Sequence, residues 1–197
     1  GPLTGIQKTM ELRLASDQNR VAVLHTLTNA SSRPVECAPW ALSVMPPNGL
    51  AIVPLPEVIS HDERVTPNQN WSLWSYSDLS DSRYRIGSSF ILIRQDPARG
   101  PTKFGLAQRQ GWIAYWNEGY LFLKHFARSE GVYPDGNVNC EIYTDERILE
   151  LETLGPLVTL APGQSTQHEE QWSLFKNVPE CRSEKEVAAC IPSYSTI

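Results

Sequence analysis

Ile6-Gln7-Lys8-Thr9-Met10-Glu11-Leu12-Arg13-Leu14 alternates apolar and polar residues. Ile6, Met10, Leu12 and Leu14 fall on one face, and Gln7, Thr9, Glu11 and Arg13 on the other. Successive side chains of a strand point to opposite faces, so this rhythm predicts a half-buried antiparallel strand. The rhythm continues outward from there. Asp17-Gln18-Asn19-Arg20 is a turn, a second strand runs Val21 to Thr28, and a third runs Val35 to Met45. Short strands are expected at Leu50 to Val53, Trp71 to Tyr76, Ser89 to Arg94, Lys103 to Ala107, Gly111 to Trp116 and Tyr120 to Phe126. Others follow at Asn137 to Tyr143, Ile148 to Leu154, Leu157 to Leu160 and Ser165 to Phe175. Asn117-Glu118-Gly119 reads as a tight hairpin turn. Pro54 to Gln69, with three prolines and many charges, reads as a loop.

About twelve short strands exceed a seven-stranded sandwich, and no 20-to-50-residue repeat marks a propeller or solenoid. The expectation is an all-β, antiparallel two-sheet sandwich of the larger kind. Only Ser183 to Cys190 has a helical pattern. Residues 1–178 are therefore read as the sandwich domain, and 179–197 as a C-terminal tail with a short helix.

Composition narrows the function classes. The chain has 197 residues, 41% hydrophobic and 20% charged, with a formal net charge of −5. No two Lys or Arg residues are adjacent, so the basic patch of a nucleic-acid binder is missing and no nucleic-acid partner is expected. No apolar run approaches the roughly 20 residues of a membrane-spanning helix, so no membrane partner is expected either. No leader pattern is visible. The chain opens on Gly1-Pro2 rather than Met, consistent with a cleavage scar or a fragment of a longer reading frame. A periplasmic or extracellular compartment follows if a leader once preceded it, and a cytoplasmic one otherwise. Cys37 and Cys140 read as buried thiols, and Cys181 and Cys190 as able to form a local disulfide in an oxidising compartment. Their spacing fits no zinc motif, and no nucleotide or phosphate fingerprint is present, so no cofactor is expected.

Alternation also sorts the later strands. In Asn137 to Tyr143, Val138, Cys140 and Ile142 face the core, while Asn137, Asn139, Glu141 and Tyr143 face away. Two amides, a carboxylate and a phenol on one face suit sugar hydroxyls, which both donate and accept; an ordinary solvated face is the alternative. Tyr120, Phe122, Lys124 and Phe126 share a face, either a stacking platform around a Lys or core aromatics with a snorkelling Lys. His125 lies on the opposite face. Trp71 to Tyr76 adds aromatics, of which Trp74 and Tyr76 are candidate sugar contacts. Arg94 ends an apolar strand and could pair a carboxylate, most simply in a surface ion pair. Glu150 and Glu152 share a strand face, where two carboxylates could divide acid and base roles.

Several strings carry a resemblance. They are Thr4-Gly5-Ile6-Gln7-Lys8, His25-Thr26-Leu27-Thr28-Asn29, Ala38-Pro39-Trp40-Ala41-Leu42 and Trp74-Ser75-Tyr76-Ser77-Asp78-Leu79. Tyr133-Pro134-Asp135-Gly136, Glu141-Ile142-Tyr143-Thr144, Leu149 through Leu157, Leu160-Ala161-Pro162-Gly163 and Trp172-Ser173-Leu174-Phe175 follow in order. Over residues 4–178 the chain resembles a bacterial family of uncharacterised proteins, a domain of unknown function among the galactose-mutarotase-like (aldose 1-epimerase-like) proteins. The resemblance implies an antiparallel supersandwich with a carbohydrate ligand. It also implies opening strands that this chain lacks.

Mutarotases take the proton from the anomeric hydroxyl with a base while an acid protonates the ring oxygen. The resemblance implies a glutamate base, for which Glu141 is the positional match. For the acid, Lys124 and His125 are the candidates, since no His fits a catalytic motif and His25 lies on an apolar face. Asn139, Tyr143, Glu152, Trp74, Tyr76 and Arg94 would contact substrate. The expected function is a carbohydrate-binding, mutarotase-like domain acting as an aldose epimerase. The alternative is a non-catalytic sugar-binding or structural module of a larger polysaccharide-processing protein.

Overall fold

The alternating segment Ile6–Leu14 forms strand β1 and hairpins with β2 (Val21–Asn29), Leu12 lying opposite Val23. The computed structural model describes residues 4–191 and is mostly strand, 46% against 6% helix. Along the chain follow β3 (Val35–Cys37), β4 (Trp40–Met45), β5 (Leu50–Pro54), β6 (Trp71–Leu73), β7 (Tyr84–Ile86), β8 (Phe90–Arg94) and β9 (Thr102–Leu106). Then come β10 (Trp112–Asn117), β11 (Tyr120–Phe126), the short helical turn α1 (Pro134–Asn137), β12 (Cys140–Thr144), β13 (Leu149–Leu154), β14 (Val158–Leu160), β15 (Ser165–Lys176) and helix α2 (Glu184–Cys190).

Eight strands form one antiparallel sheet in the order β1-β2-β15-β11-β10-β5-β8-β7. Five form a second, β4-β13-β12-β9-β6, and β3 pairs with β14 in a small ribbon. The all-β two-sheet expectation therefore holds. The β10–β11 hairpin turns at Glu118 and Gly119, both at positive φ (48° and 82°). Two central residues at positive φ are what a type I′ turn requires, and its twist matches that of the strands.

The main core lies between the sheets. Ala51, Val53, Ile91, Ile93 and Ile113 from the large sheet meet Phe104, Leu106, Ile142, Leu149 and Leu151 from the small one. A second core lies on the outer face of the large sheet, where Leu50, Ile52, Leu92, Leu121 and Leu123 are covered by Val178, Cys181, Val187 and Ile191. The segment after Val178 is thus packed against the sheet. Its helix is capped by the Ser183 hydroxyl, which accepts from the Glu186 N–H. Residues 192–197 of the expected tail lie outside the described residues. Both faces of central strands β5 and β8 are buried, which is why they read as continuous apolar runs.

Several boundaries move. The expected strand 35–45 is two strands, broken at Ala38-Pro39. Proline has no N–H for a ladder bond, and the chain changes sheets there. The strand expected from Asn137 starts only at Cys140, because Asp135, Gly136 and Asn137 turn through positive φ. Trp71–Leu73 ends three residues early in a turn closed by the Ser77 N–H donating to the Trp74 carbonyl. Strand β7 (Tyr84–Ile86) is additional to the expected strands. Cys37 is half-buried rather than buried, whereas Cys140 is fully enclosed. No disulfide joins Cys181 and Cys190, and burial together with the neighbouring Cys190 pushes Cys181 up to about 11.

Candidate functional site

The outer face of the five-stranded sheet carries the densest chemistry. Alternation along β12 sends Cys140 and Ile142 into the core and Glu141 and Tyr143 outward. On β13, Leu149 and Leu151 go inward while Glu150 and Glu152 go outward. Antiparallel register then sets Glu141 directly opposite Glu152, and Tyr143 opposite Glu150. On the other side of β12, Glu141 faces Gly105 and Tyr143 faces Lys103. Edge strand β4 adds an outward row of Trp40, Leu42 and Val44, all exposed.

Two like charges placed directly opposite each other repel, and more strongly when buried. Glu141 and Glu152 are both 0% exposed. Lys103 resolves the conflict: its Nζ lies 2.7 Å from Glu141 Oε2 and 2.9 Å from Glu152 Oε2. The Trp40 indole N–H also donates to Glu152 Oε2, at 2.7 Å. The ammonium sits over two aromatic faces, 4.7 Å from the Trp74 ring centre and 5.2 Å from that of Trp40, within cation–π range. Gly105 leaves room beside this cluster: a Cβ there would lie 2.8 Å from Val138 Cγ2, too close, while 3.4 Å from the Trp74 ring is ordinary contact, so the glycine accommodates Val138 next to Trp74.

Electrostatics follow the geometry. Burial pushes the Glu141 carboxyl up to about 7, against the opposing pull of Lys103. Burial pulls the Lys103 ammonium down, but hydrogen bonding and charge from Glu141 and Glu152 outweigh it, so it stays above its ordinary value. Glu150 is raised as well, by burial and by the charge of Glu152. Glu141 Oε1 and Glu152 Oε1 are buried without a hydrogen-bond partner. Unmet acceptors of this kind are rare in folded proteins and ask for an O–H or N–H donor.

The structure brings together Glu141, Glu152, Tyr143, Trp74 and Tyr76 of the expected site residues. It separates the others. Lys124 is not near Glu141: it points between the sheets, fully buried, 2.7 Å from Glu170 and bonded to Ser43 Oγ and to the Ala41 and Leu151 carbonyls. It neither snorkels nor meets a ligand, because β4 and β13 close over it. His125 projects to the opposite, outer face of the large sheet, beside Glu169 and Gln171 in a shallow hollow. Asn139 precedes β12 and is spent on structure, its Oδ1 accepting from the Gln108 N–H and from Arg128. Arg94 lies on β8 of the other sheet and pairs with Glu180 at 2.8 Å, as a surface ion pair would.

Lys103, Trp40 and Glu150 complete the cluster. Lys103 had a signal in Thr102-Lys103-Phe104-Gly105-Leu106, where it is the charged residue on the glycine's face. That signal becomes legible only once β9 is known to neighbour β12.

A second buried network crosses the interior. Glu170 is reached by Lys124, by the Thr153 hydroxyl, by the Trp172 indole N–H at 3.0 Å and by His25 at 3.5 Å. Burial would raise Glu170, but hydrogen bonds from His25 and the Lys124 charge hold it at about 2. Burial depresses His168 to about 4, and its Nε2 lies 2.8 Å from Thr153 Oγ1. This network ties β15 and β11 to β13. Among the described residues no group of His, Cys, Asp and Glu is arranged to hold a metal ion. No helix among them is long and apolar enough to cross a membrane.

Comparison with solved structures finds this architecture elsewhere. A Klebsiella pneumoniae protein provisionally named an aldose 1-epimerase matches with a TM-score of 0.61 at 15% identity, over 98% of this chain and 50% of its own. An Escherichia coli protein named in the same provisional way matches at 0.56 and 12%, over 87% and 60%. A galactose mutarotase-like protein from Lactobacillus casei matches at 0.52 and 12%, over 86% and 63%. The chain spans about half to two thirds of the length of these proteins. At such identities the likeness establishes the galactose-mutarotase-like fold. Among the curated proteins none matches the chain. The model of a domain of unknown function, DUF4380, matches residues 1–175, and the chain belongs to that family.

Proposed function

We propose that the outer face of the five-stranded sheet binds a carbohydrate. One observation carries the reading: two fully buried carboxylates, each with an unmet oxygen, lie beneath one ammonium flanked by Trp40 and Trp74. Sugar hydroxyls supply the donors these oxygens lack, and Trp40, 55% exposed, offers a face for sugar C–H groups. Tyr76 and Tyr143 border the same surface. The neighbours named as aldose 1-epimerases or galactose mutarotase-like proteins support this reading through fold alone.

A catalytic reading rests on the position of Glu141 near pH 7. A carboxylate poised near the operating pH is a competent general base. It would take the proton from the anomeric hydroxyl while Lys103 donates to the ring oxygen. The C1–O5 bond then breaks to the open-chain aldehyde, and reclosure on the other carbonyl face returns both protons. Lys103 takes the acid role assigned above to Lys124 and His125. In the present arrangement Lys103 covers Glu141, so the base is available only after the ammonium swings away.

The test is anomer exchange by NMR on a panel of aldoses, with ligand-observed binding in the same samples. Wild-type exchange that is lost in Glu141→Gln with binding retained supports the epimerase. Binding without exchange leaves the carbohydrate-binding domain, the non-catalytic alternative. Neither binding nor exchange across the panel would refute the sugar site.

A further inference from the structure

A cavity of about 210 Å³ on the far side of the molecule is lined by four guanidinium groups, those of Arg83, Arg85, Arg94 and Arg182, with one carboxylate, Glu180. It lies between the β7–β8 edge of the large sheet and the segment that leads into α2. It shares no residue with the Glu141 face. The arginines are placed by the fold. Arg83 is buried and held by Asp81, with Nη2 at 2.8 Å. Arg94 donates to the Asn48 carbonyl at 3.1 Å, and Arg85 donates to the Arg182 carbonyl.

The Glu180 carboxylate shows what the cavity accepts. Arg94 Nη2 reaches one of its oxygens at 2.8 Å, and Arg182 Nη2 and Nε both reach the other at 2.8 Å. An oxyanion is therefore already gripped from both sides, while two further guanidinium groups line the cavity. Asp81 already neutralises Arg83, so two carboxylates, Asp81 and Glu180, stand against four guanidinium groups and an excess of positive charge remains. Guanidinium forks match phosphate oxygens in geometry and charge. The cavity is smaller than the roughly 300–1,000 Å³ typical of drug-sized ligands, so it suits one small anionic group. A neighbouring cleft of about 390 Å³ shares Arg83 and Arg94 and has room for whatever the group is attached to.

We propose that this arginine cavity binds a phosphate group, with Glu180 as its internal surrogate. Free phosphate and the phosphoryl end of a phosphorylated small molecule share this chemistry. Glu180 swings aside when phosphate enters, so it competes with the ligand.

The test is calorimetric titration of the full chain with inorganic phosphate and with glucose 6-phosphate, alongside melting curves in sodium chloride of matched ionic strength. Phosphate should raise the melting temperature beyond chloride. Arg85→Met should weaken binding about tenfold, the loss of one charge-assisted contact. Glu180→Gln should tighten it at least threefold, which a merely structural ion pair would not do. Arg85 and Arg182 are exposed, so Arg182→Met provides a second foldable variant with the same expected loss. Tighter binding of glucose 6-phosphate than of inorganic phosphate would support the site and place a sugar in the adjoining cleft. Equal affinities would support it for free phosphate. Phosphate no more effective than chloride, or a Glu180→Gln protein that binds no more tightly, would overturn the proposal.

Discussion

Glu141 and Glu152 stand directly opposite each other on neighbouring antiparallel strands, both without solvent exposure. A bare pair of this kind would be strongly repulsive. It persists because a single ammonium, Lys103, lies within 3 Å of both.

Lys103→Met should therefore be severely destabilising. Removing one partner of a buried ionic cluster leaves uncompensated charge and typically costs about 3–5 kcal/mol. The loss should be larger at pH 8 than at pH 5, since protonation of Glu141 relieves the repulsion. Urea denaturation at the two pH values reads both effects. Equal losses would show that the cluster is not governed by charge.

Glu141 bears on stability with a definite sign. Its carboxyl is raised to about 7 in the fold from 4.5 in the unfolded chain, so the fold favours the protonated form. Relative stabilisation is complete below pH 4.5 and lost as pH rises from there to about 7. Glu141→Gln removes this slope and should be stabilising relative to wild type at pH 8 but not at pH 4. Melting temperature against pH for both proteins checks it.

Glu170 and His168 act in the opposite direction. Glu170 is held at about 2, so its contribution is present above pH 4.5 and fades as pH falls toward 2. His168 is held at about 4, so its protonation in the unfolded chain lowers stability as pH falls from 6.5 toward 4. Acid unfolding should thus begin below pH 6.5 and steepen below 4.5. In Glu170→Gln the lower segment should flatten, with a loss of about 3–5 kcal/mol at neutral pH because Lys124 is left buried and unpaired. Circular dichroism during acid titration measures both segments.

Gly105→Ala tests the Trp74 platform. The new Cβ would meet Val138 at 2.8 Å, so the Val138 side chain or the Trp74 ring must shift. Overpacking of this kind costs about 1–3 kcal/mol. Tryptophan fluorescence should change, and carbohydrate binding should weaken more than stability falls. Unchanged fluorescence and binding would mean that Val138 alone absorbs the shift and the Trp74 platform does not depend on Gly105.

Much of the fold was legible from local pattern. The bounds expected for Ile6–Leu14 and Tyr120–Phe126 match the observed strands, but only the second has a buried face: on edge strand β1 Met10, Leu12 and Leu14 are exposed, so the half-buried strand expected there is not formed. The break at Ala38-Pro39 and the late start of β12 were missed. A proline in an apolar run and left-handed Asp135 and Asn137 are backbone events that alternation does not register. The site was half legible. Glu141, Tyr143 and Glu152 were placed correctly by strand parity, while Lys124 and His125 were assigned to a cleft they do not share.

The amino-acid sequence by itself determined most of the strand inventory, the alternation of faces along each strand, and the resemblance that names the family. Those are properties of single strands and of strings. Only the tertiary structure decided which outward faces meet. Strand order brings β9 beside β12 and so puts Lys103, not Lys124, between the carboxylates. Layering sends Lys124 inward, where the carbonyls of β4 and β13 and the Glu170 carboxylate receive a charge that water would otherwise solvate. Neither strand order nor sheet stacking is encoded in a two-residue period, because the same alternation serves any neighbour.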